Sequence, residues 1–196
     1  MTPPSQLSRG FTLIELLITL AIGAILLTVA TPSFVTFQRN AALTSTVNTL
    51  LSATNAARGE AMKRGSYASV VPTDSTNWSS GWIVFIDNNR NGAYDAGSDT
   101  VVFQTEPPPN YISLTASSGA TASASPPYIM FNAQGYARDK SGGFGANTME
   151  FARNDVSGAE LLKQTRRLKI AATGRVRVCT PTTTTDANCD TTAGSF

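Results

Sequence analysis

The feature that most constrains this chain is residues 11–30, twenty residues that carry a single charge, Glu15. At about 1.5 Å of rise per residue such a run makes a helix of roughly 30 Å, the thickness of a bilayer's hydrocarbon core. A polar leader, residues 1–10, precedes it, with Arg9 beside Gly10. Secretory signals are cut after their apolar run, which is then discarded. Here the small residue suited to a peptidase lies ahead of the run. Cleavage after Gly10 would keep the helix and expose the amine of Phe11. Glu15 stands four residues further on, on the same helix face as that amine. A carboxylate in a membrane segment costs about 3 kcal/mol even on the lenient insertion scale, so by default it marks a function that involves a partner.

Gly10-Phe11-Thr12-Leu13-Ile14-Glu15 resembles the class III signal of type IV pilins and of type II secretion pseudopilins. The resemblance implies that a prepilin peptidase cuts between Gly10 and Phe11 and N-methylates Phe11. It implies that Glu15 pairs with a neighbouring subunit's N-terminus during filament assembly, so other pilins are partners. It also implies a single pass through the bacterial inner membrane, with a periplasmic C-terminal domain that later reaches the pilus. Pro32 fits the same pattern.

Beyond Pro32 the apolar spacing stays helical. Phe34, Phe37, Ala41, Thr44, Val47, Leu50, Leu51, Thr54, Ala57 and Ala61 recur at three- and four-residue steps, with Arg39, Asn48, Asn55, Glu60 and Lys63 largely between them. This predicts one helix over residues 11–64, kinked near Gly23 or Pro32 and ended by Gly65. After it the signals turn to strand at 67–71, 81–86, 101–104, 111–114, 128–131, 148–151, 167–171 and 175–179. Residues 115–125 hold only Ala, Ser, Thr and Gly and read as a loop with no core content, and the tail after Pro181 has little to bury. The plan is α+β, with the helix's second half on an antiparallel sheet. Four segments follow: a leader at 1–10, a membrane and filament-core helix at 11–31, an amphipathic continuation at 32–64, and a β-domain at 65–196. The block Gly81-Trp82-Ile83-Val84-Phe85-Ile86-Asp87-Asn88-Asn89-Arg90-Asn91-Gly92 resembles the middle signature of the GspH/FimT branch of minor pilins and pseudopilins.

Composition narrows the chemistry. The chain has no histidine, which removes the commonest general base and metal ligand, and no nucleotide loop, nucleophile elbow or carboxylate pair emerges. An enzyme is not expected, nor a cofactor. Asp87, Asn89, Asn91, Gly92 and Asp95 have EF-hand spacing, but Ser98 stands where a bidentate Glu belongs and Arg90 lies inside the loop. The segment reads as a hairpin turn, with no metal. Cys179 and Cys189 would face an oxidising compartment and are expected to form a structural disulfide that ties back the tail.

The C-terminal segment is basic. Lys163, Arg166, Arg167, Lys169, Arg175 and Arg177 occur with no acid among them. A three-residue turn, Ala172-Thr173-Gly174, with Gly left-handed, pairs Ala171 with Arg175, Ile170 with Val176, Lys169 with Arg177 and Leu168 with Val178. Leu168, Ile170, Val176 and Val178 then share the core face, and Arg167, Lys169, Arg175 and Arg177 share a solvent face. Gly174-Arg175-Val176-Arg177 resembles the Gly-Arg-x-Arg motif of FimT-type minor pilins. That resemblance implies non-specific DNA binding in natural transformation by Arg175 and Arg177, with Lys169, Arg167, Arg166 and Lys163 widening the patch. No aromatic residue is interleaved with these cations, so the expected contact is with phosphate. The alternatives are a FimU-like priming pilin without a DNA role and a GspH-like minor pseudopilin of type II secretion.

Overall fold

Thr12 and Glu15 start the first helix. The Thr12 hydroxyl accepts from the Glu15 backbone N–H, and the Glu15 carboxylate accepts in return from the Thr12 N–H, each at 3.3 Å. This reciprocal box satisfies donors that a helix N-terminus leaves open. In the computed structural model, which describes residues 10–193 apart from the Val29 side chain, α1 then runs Leu13–Arg64. Residues 1–9 of the expected leader lie outside the described residues. Pro32 lies inside α1 without ending it. Thr19, Thr28 and Thr31 donate their hydroxyls to carbonyls three or four residues back, which leaves the helix surface apolar. Gly65 ends α1 at φ +63°, and Ser66 N–H returns to the Ala61 carbonyl at 3.1 Å, the Schellman arrangement.

The chain divides into two compact units, residues 1–40 and 41–196. In the first, the large apolar residues are exposed, from Phe11 and Leu13 to Phe34 and Phe37. The helix is long and apolar enough to cross a membrane.

Among the described residues, the second unit holds the rest of α1 and nine strands. These are β1 (Ala68–Pro72), β2 (Trp82–Ile86), β3 (Thr100–Gln104), β4 (Ile112–Ala116), β5 (Ile129–Phe131), β6 (Ala137–Arg138), β7 (Asn147–Arg153), β8 (Thr165–Ile170) and β9 (Val176–Cys179). A short helix, α2 (Ala159–Lys163), precedes β8. The strands form two antiparallel sheets, one in the order β3-β2-β1-β5-β6 and the other β4-β7-β8-β9. Leu43, Val47, Leu50, Ala53, Ala57 and Ala61 of α1 are buried in one core with Trp82 and Phe131 of the first sheet and Phe151, Leu168 and Ile170 of the second. The steps of three and four residues put these side chains on one helix face, and the alanines let the sheets approach closely.

Some of the expected helix stripe is not buried. Ala41 and Thr44 are exposed, so the core face begins at Leu43. The segment read as a loop without core content contributes Ala120 and Ala122, both buried. The Trp78 indole donates to the Ala122 carbonyl at 2.9 Å, and Asn147 Oδ1 accepts from the Ala122 N–H at 2.8 Å. Small residues are drawn inward here because two buried polar groups need that backbone as partner.

The Asp/Asn-rich turn is closed by its own donors. Asp87 is buried, and its carboxylate accepts from the Ser69 hydroxyl and from Gly92 N–H at 2.9 and 3.0 Å. Burial pushes its carboxyl above the usual aspartate range against those hydrogen bonds. The Asn89 and Asn91 amides donate to Asp95.

Candidate nucleic-acid interface

The β8–β9 hairpin closes with the expected register. Lys169 stands opposite Arg177, Ile170 opposite Val176 and Leu168 opposite Val178. Ala171 N–H donates to the Arg175 carbonyl at 2.9 Å and Gly174 N–H to the Ala171 carbonyl at 2.8 Å. Gly174 has φ +79°, the left-handed position that the three-residue turn requires. Leu168 and Ile170 are fully buried, and Val176 and Val178 pack partly against the same core.

The opposite face departs from expectation. Instead of four solvated cations, it carries two that the chain's own groups cover. Lys169 is fully buried and paired with Asp190. Arg167 is 6% exposed, holds Glu150 at 2.7 Å and donates to the Cys189 carbonyl. Glu150 lies on β7 directly opposite Arg167, and Asp190 lies in the tail. The Cys179–Cys189 disulfide ties back the tail that brings Asp190 and the Cys189 carbonyl to this face. Removing a lysine from water is expensive, and only a close carboxylate offsets the cost. Arg177 is half-buried and donates to the Asn188 carbonyl. Arg175 is exposed beside the turn.

The other two cations have partners of their own. Arg166 has the opposite strand parity from Arg167, and its guanidinium donates to the Lys163 and Thr165 carbonyls at 2.8 Å. Burial lowers its pKa. Lys163 lies on α2 and pairs with Glu160 at 2.7 Å.

The tail is ordered by Asp186. Its carboxylate accepts from the Thr182 N–H and hydroxyl, at 2.9 and 2.8 Å, and from the Asn188 N–H at 3.0 Å. The Thr182 N–H, then its hydroxyl, hold the carboxyl below the ordinary aspartate range. A depressed pKa contributes stability that is present above the unfolded-state value of about 4 and lost as pH falls through the folded one. Tail order is therefore expected to be flat across neutral and mildly acidic pH and to fail only in strong acid. An NMR titration of carboxyl carbons checks this. Asp186 should titrate below the ordinary value, with the Thr182 and Asn188 amide shifts following it. A midpoint at or above that value would contradict it.

The turn sits on a second loop that the sequence did not link to it. Ala137 N–H donates to the Ala172 carbonyl at 3.0 Å. The Gly135 carbonyl accepts from Arg58 Nε at 3.0 Å and lies so close to Gly174 that a Cβ there would fall 1.9 Å from it. Tyr136 lies between these contacts and is 39% exposed. The Arg138 guanidinium is 5.6 Å from the Tyr136 ring centre and 4.7 Å from that of Phe144, which is 65% exposed. Two aromatic residues therefore lie on a loop whose backbone meets the hairpin turn, from some thirty to forty residues upstream.

At the other end of the chain, Glu15 serves the helix cap described above, a role the sequence reading missed although Thr12-x-x-Glu15 is its signature. Gly10 and Phe11 are exposed ahead of α1.

Residues 46–174 match the family described as type II transport protein GspH, and residues 6–31 match the prokaryotic N-terminal methylation motif. Among curated proteins none matches the chain significantly. Two crystal structures of the type IV minor pilin FimU from Pseudomonas aeruginosa strain PAO1 share the fold, with TM-scores of 0.53 and 0.52. They are 16% and 15% identical to this chain, cover 73% and 69% of it, and are themselves covered to 92% and 91%. β9 and the disulfide-tied tail lie beyond the stretch matched to GspH. The chain belongs to the GspH family, as a minor type IV pilin or pseudopilin that carries an N-terminal methylation motif.

Proposed function

We propose that this chain is a minor pilin of the FimT kind that binds DNA without sequence preference, for uptake in natural transformation. The observation that carries this reading is Gly174-Arg175-Val176-Arg177 at the turn of the last hairpin, with Arg175 exposed beside it. Arg175 and Arg177 are the DNA-contacting residues in this reading, and Gly174 sets the turn that presents them. The contact is with phosphate, since guanidinium groups fork onto phosphate oxygens and release counterions. Binding by one subunit is weak and is strengthened by repetition along a filament. Prepilin peptidase cuts between Gly10 and Phe11 and methylates Phe11. Glu15 then leaves its contacts with Thr12 to pair with a neighbouring N-terminus. The helix holds the subunit in the inner membrane until assembly.

A second reading is a FimU-like or GspH-like assembly subunit with no DNA role. The pairing of Lys169 and Arg167 with Asp190 and Glu150 favours it, because those cations are already neutralised. The two readings part on salt dependence. Two phosphate contacts give a log K versus log salt slope of about −1.8, or about a tenfold loss between about 50 and 200 mM salt. The full chain in non-ionic detergent should show at least that slope on duplex DNA, and Arg175→Gln/Arg177→Gln should flatten it by about 1.8. No binding by wild type at low salt, or an unaltered slope in the double variant, would leave the assembly reading.

A further inference from the structure

We infer that Tyr136, Arg138 and Phe144 form a stacking platform for unpaired bases, so that the nucleic acid taken at this end of the domain is single-stranded. The inference rests on the DNA reading above and specifies its ligand. Arg138 is held on β6 by pairing with Met130, and Phe144 bridges to Arg138 across a tight loop. The guanidinium also donates to the Gly142 carbonyl at 3.2 Å, which fixes its plane near the Phe144 ring. The loop is braced from within, with Asp139 accepting the Gly143 N–H at 2.7 Å and Gly145 N–H returning to the Ala137 carbonyl at 3.0 Å. Asp139 is the acid in this loop, and that brace occupies one of its oxygens.

The platform is therefore preorganised while its rings stay in water, which a purely structural role does not require. An exposed Phe costs solvation unless something covers it, and a braced Arg beside it favours a flat, polarisable, anionic partner. Bases of a single strand have free π-faces, and their phosphates run alongside. Tyr136 joins this platform to the hairpin, since its two neighbours, Gly135 and Ala137, contact Gly174 and Ala172. A strand stacked on the rings would thus lie next to the Arg175 turn. Duplex DNA, whose bases are already stacked, gains nothing from the rings.

The test compares an oligothymidine of about 15 nucleotides with a duplex of the same length, by fluorescence anisotropy on the full chain in non-ionic detergent. Tyr136→Leu/Phe144→Leu should lose about tenfold or more on the single strand while changing the duplex less than about twofold. Phe144→Trp should keep or raise single-strand affinity. An equal loss on both DNAs, or none, overturns the platform. The DNA reading then still stands if wild type binds the duplex through Arg175 and Arg177. Wild type that binds neither DNA overturns both. If the double leucine variant does not fold, Phe144→Trp decides alone: a single-strand affinity that drops below wild type overturns the platform.

Discussion

Replacing Gly174 with alanine is expected to destabilise the β-domain by about 2–5 kcal/mol, since a conformational penalty of about 1–2 kcal/mol and a steric one of about 1–3 kcal/mol coincide there. The first is conformational. Gly174 sits at φ +79°, where a Cβ crowds the following carbonyl. The second is steric and larger in consequence. The new methyl would lie 1.9 Å from the Gly135 carbonyl oxygen and 2.9 Å from Arg58 Nε. Neither can yield freely, because that oxygen already accepts from Arg58 and the next residues are tied to Ala172. Relief requires the turn to lift, breaking the Ala137–Ala172 bond and shifting Arg175. Gly119→Ala separates the two penalties. It has φ +78° but nothing within 4 Å of the added carbon, so only the conformational cost of about 1–2 kcal/mol applies. Urea unfolding of the two variants side by side gives the difference. Equal losses would mean that the hairpin turn is not seated on Gly135, and the seat of the Tyr136 platform would go with it.

The same hairpin shows how far the sequence reaches. Its register was legible because alternation and turn length are local: one extra residue in the turn would have thrown Val176 and Val178 to the wrong face. The long helix was legible for the same reason, through apolar spacing and Gly65. What covered the cations was not local. Glu150 lies on a strand whose pairing partner no short-range pattern names, and Asp190 lies in a tail whose Thr, Asp and Asn content reads as unstructured. The buried Ala120 and Ala122 escaped for a related reason. Small residues carry almost no hydrophobic signal, and only Trp78 and Asn147, whose groups must be satisfied, reveal why they are inside. The Arg138 platform escaped because its aromatics approach the basic hairpin only through the fold. Patterns report which face of an element is apolar; they do not report which polar segment will lie on the other face.

That covering tail carries the second large effect. Cys179→Ser/Cys189→Ser is expected to cost about 2–3 kcal/mol by the loop-entropy model for a ring of this size. The loss should not stop at stability. Lys169 is buried with Asp190 as its ion-pair partner, and Arg167 gives one of its donors to the Cys189 carbonyl. Both partners sit at the end of the ring that the disulfide closes. Without the link, the tail must hold these contacts against its own chain entropy, while a lysine gains by returning to water. The face should open, leaving Arg167 with Glu150 alone and Lys169 solvated. If the last hairpin takes DNA, the salt slope on duplex should then steepen from about −1.8 to about −2.7 as one further cation, Lys169, becomes available. Lost stability with an unchanged slope would mean that the tail stays seated by Asp186 and Asp190 without its covalent tie. A steeper slope would mean that the tail's acidic groups compete for the cations that a phosphate backbone would otherwise take, so that how firmly the tail is fastened sets how much of the basic face is available.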